Sequence, residues 1–226
     1  MTQIKPLEGM MTPRFADIAT FFRLPIIKDL SKLDYCICGV PWDGGTTNRP
    51  GARHGPREIR NSSSLVRLYH PRSLQSPYDT FNVADIGDCP VNPADLQDSL
   101  LKIENFYNKI LQSKTIPISI GGDHLVSLPV LRALAKNKPV GLFQFDSHTD
   151  TYDTYFGGFK YTHGTPFRRA IEENLIDPKK YVMLGIRGSL YHPDDLNWAR
   201  EQGVTIITID DFHEMGFNKV IDTIYK

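Results

Sequence analysis

The feature that most constrains this chain is an alternation of short apolar runs with longer segments whose apolar residues recur at helical spacing. Runs at residues 35–40, 81–86, 116–120, 140–145, 181–186 and 204–209 each have the length of a buried strand. Between them, residues 95–113 place Leu96, Leu100, Ile103, Phe106, Tyr107 and Ile110 on one stripe. Residues 127–136, 166–173 and 193–202 also read as helices. The pattern predicts repeated βαβ units, an α/β fold with a parallel sheet and helices on both faces. In such sheets ligands gather outside the carboxyl ends of the strands, so the loops that follow them are where chemistry is expected.

The 226 residues are compatible with one domain over 1–226, preceded by an N-terminal arm at about 1–32. Lys plus Arg and Asp plus Glu stand at 26 each without a long run of either sign, which advertises no surface for nucleic acid or anionic lipid. The expected partner is a small molecule. No stretch reaches the roughly 18 apolar residues of a membrane span, and residues 1–15 lack an apolar signal core, so a cytoplasmic location is expected. Cys36, Cys38 and Cys89 lack metal-finger spacing and read as buried free thiols.

The run at 140–145 stops at Asp146-Ser147-His148-Thr149-Asp150. In an extended chain, positions i, i+2 and i+4 point to one side, which would converge Asp146, His148 and Asp150. Two carboxylates that close repel unless one is protonated, paired or bound to a cation. The alternative is a set of loop caps, in which Asp and Thr hydrogen-bond turns and the histidine is solvated. Gly121-Gly122-Asp123-His124 follows the run at 116–120, where two glycines allow a sharp turn. His124 therefore leaves a neighbouring strand near the Asp146 cluster, although alone the motif reads more simply as a tight turn. His163 lies in a loop before the helix opened by Pro166, and the pKa range of histidine suits proton transfer; alone a loop histidine is more often surface decoration, and the two motifs upstream favour the catalytic reading. The stretch from Gly44 to Arg57 is glycine-rich but lacks the Gly-Lys-Ser/Thr ending of a phosphate loop, and its 56–60 part looks like a helix start.

Taken in order, Gly-Gly-Asp-His, Asp-Ser-His-Thr-Asp and His163-Gly-Thr-Pro-Phe resemble the ureohydrolases of the arginase and agmatinase family. Arg49-Pro-Gly-Ala-Arg-His-Gly-Pro, the 83–88 strand end and the opening at 13–25 resemble the agmatinase branch, which includes guanidinobutyrase, guanidinopropionase and proclavaminate amidinohydrolase. The resemblance implies a three-layer αβα arginase-like fold and hydrolysis of a guanidino compound, agmatine to putrescine and urea, by a dimanganese-activated hydroxide. It makes His124 and Asp150 ligands of one Mn2+, His148 a ligand of the other, Asp146 a bridge and His163 a proton shuttle. Ser147 stands where the family usually has Ala, and Leu125 where Ser is common. A homo-oligomer, trimer or hexamer, is also implied, with residues 15–24 as a candidate subunit contact.

The chemistry accounts for that hardware. A guanidinium is a resonance-stabilised cation and a poor electrophile, and two divalent ions roughly 3.5 to 4 Å apart lower the pKa of a shared water. Oxygen and imidazole donors without thiolate suit manganese. The family pattern continues with a paired-aspartate strand end that supplies further ligands. Asp210-Asp211 are adjacent and would point to opposite sides of an extended chain, so they are not expected to replace that pair. A chain lacking its C-terminal strands, with weak or single-metal binding, is the corresponding expectation. An inactive subunit is the first rival reading. A zinc deacetylase of similar fold is the second, and Gly-Gly-Asp-His weighs against it. For the substrate's tail, Asp153 would suit an amine, whereas Lys160 or Arg168 would suit a carboxylate, and a solvated loop charge is the equal alternative for each.

Overall fold

The computed structural model describes residues 3–225, which fall into two compact units, Met1–Val126 and Ser127–Lys226. Each is built on a three-stranded parallel sheet.

In the first unit, β1 (Tyr35–Val40) lies between β2 (Val83–Asp88) and β3 (Ile116–Gly121). Tyr35 stands opposite Val83 on one side and Ile116 on the other. All but the first residue of β1 are buried, as its unbroken apolar run requires for a central parallel strand. Helix α1 (Gly55–Ser62) begins with Pro56 in its first turn, where the missing N–H costs nothing. Helix α2 (Leu96–Gln112) is capped by the Asp95 carboxylate, which accepts the Asp98 N–H at 3.0 Å. Of its predicted stripe, Leu100, Ile103, Tyr107 and Ile110 are buried. Cys36, Cys38 and Cys89 are buried free thiols, as expected, and burial pushes Cys38 up to about 11.

The segment at 15–24 divides. Phe15 and Ile18 are exposed, but Phe21 and Leu24 pack into a cluster with Ile37, Tyr78 and Val83. Its second half is therefore core of this unit and is not available as a subunit contact. Above Phe21, at 4.0 Å, lies the Arg60 guanidinium, which grips buried Asp85 with two N–H groups at 2.8 and 3.1 Å. Burial pushes the Asp85 carboxyl up, but Arg60 and the backbone N–H groups of Gly87 and Phe21 outweigh it and hold it below its ordinary value.

In the second unit, β5 (Ile176–Ile186) lies between β4 (Val140–Phe145) and β6 (Thr205–Thr208). Helices α3 (Ser127–Leu134), α4 (Pro166–Glu172) and α5 (Asn197–Gln202) match predicted segments, although α5 begins four residues later than 193. Strand β5 begins at Ile176 rather than 181, because Ile176 already pairs with Val140 before a register shift. Helix α6 (Ile209–Ile224) has no counterpart in the sequence reading. Asp210 and Asp211 lie in its first turn, which corrects the extended-chain account of that pair. The Thr208 hydroxyl accepts the Asp211 N–H at 3.1 Å, and the Asp211 carboxylate accepts the Thr208 N–H at 2.9 Å. This reciprocal cap satisfies two donors that would otherwise be orphaned. Val220 of α6 then packs on Leu184 and Ile207. Among the described residues, no helix is long and apolar enough to cross a membrane.

Candidate metal centre

The exit of β3 is held by glycine and a buried carboxylate. Gly122 has φ +82°, and a Cβ there would lie 2.4 Å from the Val40 carbonyl oxygen and 2.7 Å from that of Trp42. Only glycine fits that approach. The buried Asp123 carboxylate accepts the N–H of Gly45 at 2.7 Å and of Leu125 at 2.8 Å. His124, half-buried, opens the short turn His124–Val126 that follows.

The glycine-rich stretch after β1 is a brace for this exit. Asp43 accepts the Gly51 N–H at 2.6 Å and the Arg53 Nε at 2.6 Å. Arg53 beside it, with those backbone donors, holds the Asp43 carboxyl down at about 2. Gly55 packs so closely that a Cβ would sit 2.6 Å from the Gly121 carbonyl oxygen. These carbonyl and carboxylate contacts leave the stretch serving β3 and α1, in keeping with the sequence reading that it is no nucleotide cradle.

In the second unit, the chain after β4 does not stay extended. The Asp146 Oδ1 accepts the His148 N–H at 3.0 Å, which turns the backbone at Ser147 and His148. Asp150 has φ +49° and is buried. The alternation argument is thereby corrected, because a local turn replaces the pleat that would put three side chains on one side. Two of the three still converge, since Asp146 and Asp150 offer carboxylate oxygens within 4.8 Å of each other. His148 lies outside this group of mutually close ligand atoms. It is exposed, its Nδ1 lies 2.9 Å from the Ser147 hydroxyl, and its ring lies against Gly188, where a Cβ would come within 2.3 Å of Cδ2.

The loop behind this turn is well built. Thr165 donates its hydroxyl to the Lys160 carbonyl at 2.8 Å and accepts the Thr162 N–H at 2.9 Å, and this tight turn carries half-buried His163. Tyr155 lies against Gly164, and Tyr152, Tyr155 and Tyr191 meet edge to face with centroids 5.5 to 6.2 Å apart. Burial, with Asp195 accepting its hydroxyl at 3.0 Å, pushes Tyr152 up to about 12. Asp153 accepts Arg169 Nη2 at 2.9 Å, with Arg168 Nε 3.7 Å away, so its charge is already compensated. The Arg169 side chain is only 3% exposed, which makes this a bond between a buried cation and the loop.

The donor set fits a hard divalent cation. A carboxylate pair this close, one member buried, with an imidazole on the same strand's exit, offers oxygen and nitrogen without sulfur. Sequence reasoning missed Gln144, Tyr181 and Gly188, which surround Asp146 and His148. Gln144 was hidden inside an apolar run, yet a lone amide two residues before Asp146 was the available signal.

Comparison with known proteins places this chain in one family. A model described as the arginase family matches residues 33–226. The guanidinopropionase of Pseudomonas aeruginosa is 57% identical over 212 residues, covering 94% of this chain and 67% of that protein. Guanidinobutyrase of the same organism is 43% identical, covering 92% of this chain and 66% of that protein. Among solved structures, the proclavaminate amidino hydrolase of Streptomyces clavuligerus superposes with a TM-score of 0.88 at 39% identity, covering 94% of this chain and 71% of that one. The chain therefore spans about two thirds of the length of these relatives. With parallel sheets, intervening helices and a family model matched over residues 33–226, the chain belongs to the arginase family.

Proposed function

We propose that the protein to which this chain belongs hydrolyses a short guanidino acid to urea and the corresponding amino acid. The coarse part, a guanidino compound as substrate, is supported by relatives named for guanidinopropionate, guanidinobutyrate and agmatine. The finer choice of an acid over agmatine departs from the agmatine reading of the motifs. The observation that carries it is Asp153, the residue that would receive an amine tail, which is held by Arg169 and flanked by Arg168. The 57% identity to a guanidinopropionase supports the same choice.

In this reading His124, Asp146, His148 and Asp150 would hold manganese, which when bound would lower the pKa of a water and so make a nucleophile available at neutral pH. The chain's own groups do the rest. Asp146 and Asp150 supply the negative charge that offsets the bound cations. The attack forms a C–O bond and the C–N bond to the alkyl nitrogen breaks. His163 delivers a proton to that departing nitrogen, which leaves as the amino acid's amine, and urea is released. Lys160, exposed in the Tyr152 to Thr162 loop, is the cation for the substrate's carboxylate.

The test is urea release from 3-guanidinopropionate, 4-guanidinobutyrate and agmatine, with and without added Mn2+, and with Lys160→Ala alongside. The reading expects manganese-dependent turnover of an acid at least tenfold better than agmatine, and a raised KM for the acid in the variant. Faster turnover of agmatine would overturn the substrate choice. No turnover of any of the three would overturn the activity.

A further inference from the structure

Gln144 and Tyr181 are absent from the expected ligand set, yet they form a buried relay that ends on Asp146. Gln144 is 5% exposed and Tyr181 is fully buried. In the β4–β5 register Tyr181 stands opposite Leu142, so its phenol reaches one side-chain repeat toward the strand ends to meet Gln144. The Tyr181 hydroxyl donates to the Gln144 Oε1. The Gln144 Nε2 donates to Asp146 Oδ2 at 3.1 Å and to the His148 carbonyl at 3.2 Å.

The amide has one workable orientation. Asp146 and the His148 carbonyl can only accept, so the nitrogen must face them, and the oxygen must then take the tyrosine proton. Reversing the amide would set its oxygen against a carboxylate. Burial, with the charges of Asp150 and Asp146 nearby, raises Tyr181 well above its ordinary value, which keeps the phenol a donor. Each oxygen of Asp146 thus accepts one defined donor, Oδ2 from Gln144 and Oδ1 from the His148 N–H at 3.0 Å.

We propose that Gln144 and Tyr181 are positioning residues that fix the plane of the Asp146 carboxylate and the turn carrying His148, and thereby raise the site's affinity for manganese. This rests on the manganese reading above. A ligating carboxylate held by hydrogen bonds loses less freedom when a cation arrives, and removing such partners lowers metal affinity about 10- to 100-fold.

The experiment measures Mn2+ affinity by electron paramagnetic resonance, without substrate, for the unaltered chain and for Gln144→Leu, Gln144→His and Tyr181→Phe. Thermal unfolding of each metal-free protein is recorded alongside. Leucine keeps the volume and loses both donors, so affinity is expected to fall at least tenfold. Histidine can accept from Tyr181 and donate to Asp146, so it is expected to stay within about threefold of the unaltered chain. Tyr181→Phe keeps the ring packed on Phe167 and is expected to weaken binding about threefold, with little change in metal-free unfolding. Affinity in Gln144→Leu and Tyr181→Phe equal to the unaltered chain's would overturn the inference alone. If the unaltered chain itself binds no manganese, the metal reading fails and the inference with it. If Gln144→Leu fails to fold, Tyr181→Phe decides by itself.

Discussion

Gly188 and His148 are in contact so close that a single methyl on Gly188 would lie 2.3 Å from the imidazole Cδ2 and 2.4 Å from its Nε2. The backbone there is tied down, because the Arg187 and Gly188 N–H groups both donate to the Ser147 carbonyl, at 2.9 and 2.8 Å. The ring must yield, and it can, because His148 is exposed. The methyl would also stand 3.1 Å from the Ser147 carbonyl oxygen, so Gly188→Ala is expected to cost about 1 kcal/mol of stability. It is also expected to weaken manganese binding at least fivefold by swinging His148 out of place. Equilibrium unfolding and a manganese titration on the same variant check both halves.

Asp43 makes a pH prediction. Its carboxyl is held down at about 2 from an ordinary value near 3.8, chiefly by its hydrogen bond to Arg53. A folded-state pKa below the unfolded one contributes stability that is complete above about pH 4 and is lost as pH falls toward 2. For this 2% exposed residue the shift corresponds to about 2 kcal/mol. Melting temperatures of the unaltered chain and Asp43→Asn should therefore differ most above pH 4 and converge near pH 2.

The reciprocal cap of α6 is open to a direct test. Thr208→Ala and Asp211→Ala each remove half of the same two-bond cap. Each is expected to cost about 1 kcal/mol. The double variant is expected to cost clearly less than the sum, because either change alone breaks the box. A urea-unfolding double-mutant cycle measures it, and full additivity would contradict the coupling.

Asp153 separates the two classes of substrate tail. Because Arg169 and Arg168 compensate its charge, Asp153→Asn is expected to change KM for agmatine by less than about twofold. The same change replaces the charged bond from Arg169 Nη2 at 2.9 Å by a neutral one, while the Asp153 carbonyl keeps Arg169 Nη1 at 2.9 Å, so kcat for a guanidino acid is expected to fall only about twofold. Steady-state kinetics with both substrates check the split.

The strands were legible because parallel strands leave short apolar runs, and 35–40 and 140–145 coincide with β1 and β4, of which β1 is buried along nearly all its length. Helix α6 was not, because its first residue completes the apolar run of β6 and Gly216, at φ +74°, interrupts its period. Thr208 followed three residues later by Asp211 was the visible sign of its start. At the site, residue identities carried the donor types, but the pleat argument gave the wrong reason for their approach. An aspartate that accepts its own chain's N–H two residues on makes a turn, and composition does not show which Asp will do so. Gln144 and Tyr181 come from two strands adjacent only in the folded sheet, which no local pattern reveals.

The most direct test of the central claim is a manganese titration, followed by electron paramagnetic resonance, of the unaltered chain beside Asp146→Asn and Asp150→Asn. The carboxylates that approach within 4.8 Å are expected to give saturable binding that each substitution weakens at least tenfold, with Asp146→Asn the more severe. Absence of saturable binding in the unaltered chain, or binding indifferent to both substitutions, would contradict the assignment of Asp146 and Asp150 as metal ligands.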